Sequence, residues 1–439
     1  MNKSNNIGKW PMLRKADRAA PVSSVEPMRI AAFSRQHRPA GPRREEGPAR
    51  WEGSFLLTSG GSVVTRIITI RPVENEARRQ KTDTGRDRLP EAATEAGRRS
   101  SDGARASKKL GLAVWATEPL AKLVQQVKLA EGIGFDSIWV IDSQLLCRDV
   151  FVTLAALAVN TSRIKLATGV TQPTTRHPAV TASALAALDE LSGGRMMSGM
   201  GTGFSSLRTL GLPAAKMAEF EAFLAAVRQL LARETARFPN GFEARMTWLA
   251  QPAQVPIFGA ASGPKMTQLV ARIADGAILL QGIADDLLDR AHQWLDEGAT
   301  SAGRDLSTLE VACWIPLGLD NDPERARDQV RVRVAGAIMN TNADWFEGAE
   351  REAVLAVQRS YKDFQHAGAN ADHATILPDR IVDRYAIAGT PEGVREGLAR
   401  VMRRPDLGHV ILTPQASADD KTDVLGLLRH FDRDILAKL

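Results

Sequence analysis

Cysteine is nearly absent from this 439-residue chain: it has two, Cys147 and Cys313, far apart. A disulfide framework needs more, and a zinc site needs clustered Cys or His ligands, so two reduced thiols are expected. No stretch approaches the roughly 18 consecutive apolar residues of a membrane helix. The N-terminus is charged and broken by prolines, with no apolar core of signal-peptide length, which argues against Sec export. The acidic residues of the same segment argue against an organelle transit peptide. A cytoplasmic location without a membrane partner is expected. Glycine (35) and proline (22) are near average, so the chain as a whole is not low-complexity.

The net charge of +6 hides an asymmetry. Of 57 Lys and Arg, 22 fall in residues 1–108, with only 12 of the 51 Asp and Glu. The first segment is therefore near +10 and the remainder near −4. Its basic residues are interleaved with acids and lack an aromatic series, so nucleic acid is not expected as a partner. Residues 1–107 show no sustained periodicity, and their Pro, Gly, Arg and Glu content cannot bury enough apolar surface to offset chain entropy. A disordered basic extension is expected, or upstream sequence included by a mistaken start. No Met lies between Met28 and Met196, so such a start would be non-AUG, near Leu110. The apolar run Ser62–Ile70 reads as an isolated strand, marginal without a partner.

From residue 108 onward, short apolar runs alternate with helical periodicity. Strands are expected at Leu110–Ala116, Ser137–Ile141, Ile164–Thr168, Met196–Met200, Pro256–Ala260, Ala277–Leu280, Glu310–Leu317 and His409–Thr413. Helices are expected at Pro119–Glu131, Phe151–Asn160, Pro178–Leu191, Pro264–Ala274 and Asp286–Ala299. A longer segment, Leu207–Gln251, reads mostly as helix, and two or three helices precede the last strand. Eight βα repeats over residues 108–439 imply a parallel sheet closed as a (β/α)8 TIM barrel with helical insertions. Its strands lack two-residue alternation because both faces are covered.

Active sites of such barrels lie just beyond the C-terminal ends of the strands. Asp142 follows the second strand. Gly169, Val170, Thr171, Gln172, Arg176 and His177 follow or end the third. Thr202 and Gly203 follow the fourth, and Ala261, Ser262, Gly263 and Lys265 the fifth. At the fifth, Ser262-Gly263 precedes Pro264, a residue suited to a helix's first turn. Free N–H groups and the helix dipole there suit a phosphate, with Lys265 adding charge; an ordinary N-cap at Ser262 is the competing reading. Gly201-x-Gly203 lacks the third glycine and the acid of a dinucleotide fingerprint, but permits a flat ring to approach the backbone. His177 suits a capping or packing role or a substrate contact, and Arg176 an ion pair or a substrate contact. Asp142, a carboxylate at a strand's C-terminal end, has the better claim to function.

These residues have a familiar pattern. Thr168–Ser183 (TGVTQPTTRHPAVTAS), Leu188–Arg195 (LDELSGGR), Gly199–Gly203 (GMGTG), Ala260–Met266 (AASGPKM), Ile273–Leu279 (IADGAIL) and Ile387–Gly393 (IAGTPEG) together resemble the bacterial luciferase-like monooxygenase superfamily. The likeness is to its coenzyme F420-dependent branch, which includes methylenetetrahydromethanopterin reductase. The resemblance implies a flavin- or deazaflavin-dependent oxidoreductase, often dimeric, acting on a small molecule. Coenzyme F420 is the expected cofactor and FMN the alternative. It implies a non-proline cis peptide at Gly169-Val170 behind the ring, a cofactor phosphate on Ser262 and Gly263, and Thr202, Gly203, Thr171 and Gln172 near the ring. Asp142 would contact the cofactor's polar ring edge or its side chain.

Two departures stand out. Several family members carry His where this chain has Ser143, and many carry Asp or Glu where it has Phe204. Both serve acid/base chemistry in relatives, so their absence weakens a sugar-phosphate dehydrogenase and leaves direct hydride transfer intact. The alternatives are an FMN-dependent monooxygenase, or a degenerate barrel that binds its ligand without turnover. Leu207–Gln251 and Ala343–Arg380 are expected to close the pocket.

Overall fold

The structure, a computed structural model, describes residues 58–59, 62–63, 108–238, 240–339, 341–362, 371, 373–415 and 424–438. The chain divides into two units, Met1–Arg99 and Ser100–Leu439. In the first, Thr58–Ser59 pairs antiparallel with Ser62–Val63. The run expected as a lone strand thus has a partner over its first two residues; its remainder, and the expected extension as a whole, lie outside the described residues.

In the second unit eight strands occupy the places the apolar runs predict. They are β1 (Lys109–Val114), β2 (Ser137–Val140), β3 (Lys165–Thr171), β4 (Met196–Met200), β5 (Ile257–Ala261), β6 (Gly276–Leu279), β7 (Glu310–Leu319) and β8 (His409–Pro414). Each pairs in parallel with the next, and β8 returns to β1, so the ring closes. A short strand, Ile387–Gly389, adds to the far end of β7. Closure leaves no open edge in the ring itself.

The helices cover the ring because their apolar stripes match the strands' outer faces. The first three are α1 (Leu120–Ile133), α2 (Val150–Ala158) and α3 (Pro178–Ser192). α4 (Met217–Leu231), α5 (Pro264–Ile273) and α6 (Asp285–Ser301) follow. Ends are marked as the sequence suggests: Gly134 and Gly193 close α1 and α3 in the left-handed region, and Asp149 caps α2 with its side chain. Inside the ring, every strand contributes to one layer: Ala113, Trp139, Ala167, Met197, Phe258, Ile278, Ala312 and Ile411, with Ala260 beside them. The Trp139 and Phe258 rings meet edge to face at 5.4 Å, and alanines on β1, β3 and β7 leave room for them. This layer plugs the barrel beneath its upper mouth.

Two expectations change. Only Met217–Leu231 of the 207–251 segment forms a long helix. A four-residue helix, Ser205–Arg208, precedes it, and a two-residue hairpin, Ala236–Arg237 with Glu243–Ala244, follows. Gly211, Pro213 and Gly241 interrupt the helical pattern there. Between β7 and β8, among the described residues, stand four helices rather than two or three: α7 (Pro323–Ile338), α8 (Gly348–Ser360), α9 (Asp379–Tyr385) and α10 (Pro391–Met402). α7 to α9 form a separate small core around Val330, Ile338, Phe346, Val354 and Tyr385. A last helix, α11 (Val424–Asp434), packs against α1.

Candidate functional site

A cavity of about 490 Å³ opens at the C-terminal ends of the strands. Every strand or the residues just beyond it contributes: Trp115 after β1, Asp142 and Ser143 after β2, Val170 on β3, Thr202 and Gly203 after β4, Ser262 after β5, Leu280 after β6, Trp314 on β7 and Thr413 on β8. Of the thirteen residues the sequence nominates, Asp142, Gly169, Val170, Thr202, Gly203 and Ser262 line it. Thr171, Gln172, Arg176, His177, Ala261, Gly263 and Lys265 stand behind or beside the wall.

The Gly169-Val170 peptide is cis. The β3–β4 register slips at this point: Thr168 faces Ser198, whereas Thr171 faces Met200. One residue of β3 is therefore extra, and the bulge carries Val170 to the cavity. Its neighbour on β4 must be small. A Cβ on Gly199 would stand 2.4 Å from the Thr168 carbonyl oxygen and 2.9 Å from Val170 Cγ1. The Thr168 hydroxyl in turn donates to the Gly199 carbonyl at 2.8 Å. Two of the motifs singled out in sequence thus interlock to present a narrow aliphatic ridge.

Asp142 is 5% exposed. Its Oδ2 accepts from Arg176 at 2.6 Å and its Oδ1 from Gln144 Nε2 at 2.7 Å. Burial pushes this carboxyl up, while Arg176 opposes the rise. Arg176 also donates to Asp149 at 2.9 Å and lies over the Phe151 ring, so the ion-pair reading of Arg176 is the observed one. His177 caps α3, accepting from Ala179 N at 3.2 Å, and its ring packs on Phe238 at 4.5 Å; neither residue lines the cavity. Gln172 shapes its own loop, accepting from Thr174 N at 2.6 Å and donating to Thr175 Oγ1 at 2.6 Å.

At the end of β5, Gly263 rather than Ser262 is the N-cap of α5, with Pro264 at the first helical position and no side-chain cap. The N-cap reading of Ser262 therefore fails. Ser262 sits one residue earlier, on the cavity wall. A Cβ on Gly263 would meet nothing within 4 Å, so the space beside this residue is not filled by protein among the described residues. Thr267 Oγ1 donates to the Gly263 carbonyl at 2.8 Å, and Gln281 Nε2 donates to Thr267 Oγ1 at 3.1 Å. The loop is braced from behind while its front stays open. Lys265 is exposed.

Sequence reasoning missed the opposite wall. Trp115, Trp314, Arg333 and Thr413 line it, with Tyr385 and the small residues Gly336 and Ala337. Arg333 comes from α7. Its Nε donates to Gln415 Oε1 at 2.9 Å, and its guanidinium lies 4.0 Å from the centre of the Trp115 ring. Burial pushes this guanidinium down to about 10. Trp115 and Thr413 sit at or just past strand ends, so parity along β1 and β8 was a usable signal. Nothing in the sequence marks Arg333, an arginine among several on one helix. The closure expected from Ala343–Arg380 comes instead, among the described residues, from α7 and Tyr385; the insertion after β4 supplies Ala214, Ala215 and Met217. At the two departures, Ser143 Oγ lies 3.0 Å from Ser205 Oγ, and the Phe204 ring lies 5.9 Å from that of Tyr361.

The thiols stand apart from this chemistry. Both are free, and burial pushes Cys147 up to about 11 and Cys313 up to about 12. Among the described residues no group of acids, histidines and cysteines has metal-site geometry, and no helix is long and apolar enough to cross a membrane.

The structure is a closed parallel barrel with a bulge on β3 and a cavity at the C-terminal ends of its strands. The sequence profile of luciferase-like monooxygenases matches residues 87–405, and the chain belongs to that family. The 5,10-methylenetetrahydromethanopterin reductase of Methanolobus tindarius is 32% identical over 66% of this chain and 89% of its own length. The F420-dependent glucose-6-phosphate dehydrogenase of Nakamurella multipartita is 33% identical over 73% of this chain and 92% of its own. Among solved structures, the coenzyme F420-dependent tetrahydromethanopterin reductase of Methanopyrus kandleri superposes with a TM-score of 0.61. It covers 76% of this chain and 99% of its own at 23% identity, a likeness of fold.

Proposed function

We propose that this protein is a coenzyme F420-dependent oxidoreductase that transfers a hydride to or from a small organic substrate. The observation that carries the reading is the Val170 ridge on β3 with the uncapped start of α5, after β5, on the same side of the cavity. The residues suit a planar ring with a phosphate-bearing tail. The ridge supports one ring face, the backbone at Thr202 and Gly203 allows close approach at the ring's side, and Asp142 meets its polar edge. Ser262 and the first-turn N–H groups of α5 take the phosphate, a niche that a Cβ at position 263 would enter. Coenzyme F420, when bound, supplies or accepts a hydride at C5 of its deazaflavin.

The protein's own contribution is then orientation and dryness. Trp115, Trp314, Phe204, Met217 and Tyr385 give the cavity apolar cover. Where relatives carry acid/base groups this chain has the Ser143–Ser205 hydroxyl pair and Phe204. Neither position holds a group that titrates near neutrality, which favours direct transfer to or from an electron-poor carbon over dehydrogenation of an alcohol that needs a base. The same relationship supports a cytoplasmic homodimer, which sedimentation of the full chain checks.

Equilibrium titration of the purified full chain with F420, and separately FMN, in both redox states tests the reading through flavin fluorescence. Saturable F420 binding with FMN ignored is expected. Binding of FMN alone would move the protein to oxygen-activating chemistry. Binding of neither would leave no cofactor role for the cavity.

A further inference from the structure

β3, which carries the ridge, stands between β2 and β4 in the ring. The loops that follow β2 and β4 meet each other beyond the strand ends. Ser143 Oγ, after β2, lies 3.0 Å from Ser205 Oγ, after β4, and both serines line the cavity. Thr209 Oγ1 lies 2.9 Å from the Ser205 carbonyl oxygen and 3.2 Å from that of Gln144, so another hydroxyl ties the same two loops. Both serines lie past the ends of their strands, whereas Val170 is still within β3. The pair is therefore nearer the mouth than the ridge is. A ring resting on the ridge, as proposed above, leaves the pair to the ligand seated outside it. The present inference rests on that reading for which ligand is the substrate.

Two hydroxyls carry two protons, and the bond between them uses one. Whichever serine donates, the other keeps a proton that no group among the described residues accepts. Asp142, beside Ser143 in the chain, does not take it: its oxygens accept from Arg176 and Gln144. Ser143 is 3% exposed and Ser205 is less buried, so the order that suits the cavity runs from Ser143 to Ser205 and on to a ligand. Donation from Ser143 polarises the Ser205 hydroxyl and strengthens the bond it gives next. No charged side chain among the described residues bonds to either hydroxyl, and an anion here would stand close to the Asp142 carboxyl. Ile141 and Phe204, which flank the pair in the chain, also line the cavity and add apolar surface. An uncharged acceptor atom on an apolar frame fits that setting.

We propose that Ser205, oriented by Ser143, donates a hydrogen bond to a neutral carbonyl oxygen of the substrate. Ser205 is the residue that touches the substrate, and Ser143 is a positioning residue that acts through it. The bond draws electron density from the carbonyl carbon and from carbons conjugated with it, the kind of centre to which the reading above assigns hydride transfer.

The test uses the full chain, apo and loaded with F420, and three probes: acetophenone, ethylbenzene, which has the same frame without the acceptor, and the anion benzoate. Affinities come from NMR titration, and the bond itself from the infrared carbonyl stretch of bound, 13C-labelled acetophenone. Ser205→Ala should weaken acetophenone about two- to tenfold, the usual consequence of losing one neutral hydrogen bond, and leave ethylbenzene within about twofold. Unchanged ethylbenzene binding also shows that the variant keeps its cavity. The carbonyl stretch should lie at lower frequency on the wild type than on Ser205→Ala, and Ser205→Thr should keep that shift. Ser143→Ala should cause a smaller loss, and the Ser143→Ala/Ser205→Ala double variant should be no weaker than Ser205→Ala, because Ser143 acts through Ser205. No acetophenone binding, equal losses for acetophenone and ethylbenzene, an unmoved stretch, or a larger loss for benzoate than for acetophenone would overturn the proposal. A fall in F420 affinity with acetophenone binding unchanged would overturn it too, by assigning the pair to the cofactor. Ser205-dependent acetophenone binding in a chain that never takes up F420 would instead sink the cofactor reading and leave the carbonyl site standing.

Discussion

The two rims of the barrel handle their polar groups in opposite ways. At the lower rim, where the strands begin, charged groups are paired, although Glu310 Oε1 and His409 Nδ1 are buried without a hydrogen bond among the described residues. Glu310 at the start of β7 pairs with Lys109 at the start of β1 at 2.7 Å and lies 3.3 Å from His409 at the start of β8. His409 Nε2 meets Ser137 Oγ at 2.9 Å, and the Trp139 indole donates to the same oxygen at 2.9 Å. Nearby, Arg195 donates to Ser192 O, Ala158 O, Thr161 O, Ile164 O and Thr161 Oγ1, closing the ends of α2 and α3. Glu131 accepts from three consecutive backbone N–H groups, Ser162 to Ile164. At the upper rim groups stay open among the described residues: α5 has no side-chain cap, and the Thr413 hydroxyl on the cavity wall has no hydrogen-bond partner. In barrels of this architecture stability is concentrated below and recognition above.

Three experiments would break or sharpen this contrast. The largest effect is expected from Arg195→Ala. Several carbonyls in a site only 8% exposed lose their donor at once, a loss of about 3 kcal/mol, read as a lower urea midpoint with F420 affinity per folded molecule unchanged. The second effect depends on pH. Burial raises Glu310, but His409 and Lys109 lower it further, to about 2 from an unfolded value of 4.5. Because the folded value is depressed, the contribution is complete above 4.5 and is lost as pH falls through about 2. Partial exposure limits it to about 1–2 kcal/mol. The melting temperature of Glu310→Gln should lie below wild type at pH 6, and the gap should close toward pH 2. The smallest stability effect belongs to the upper rim. Gly263 has a φ of −139° and open space at its Cβ, so Gly263→Ala should leave the melting temperature nearly unchanged while weakening F420 several-fold. A mutant that melts early yet binds normally would show that position 263 belongs to the scaffold.

How far the sequence disclosed this molecule depended on which forces were local. All eight strands were legible because each is a short apolar run bounded by a turn or a helix start, and the closed ring follows from their number. The 207–251 segment misled because its composition favours helix while Gly211, Pro213 and Gly241 cut it. The site was half legible. Residues immediately after strands, such as Asp142 and Ser262, announce themselves through the architecture. Arg176 and His177 look chemical but serve loop and cap. Arg333 was invisible, because its place on the cavity wall depends on how α7 folds over the mouth, a long-range packing outcome carried by the small core around Phe346 and Tyr385.

The layer of Trp139, Phe258 and their neighbours makes the barrel a well with a floor. Molecules that enter such a well leave by the same opening. Two ligands sharing it cannot come and go independently: the one seated deeper loads first and departs last. Turnover in this protein should therefore keep a fixed order of arrival and release. The product that leaves last should inhibit competitively against the ligand that is seated deeper.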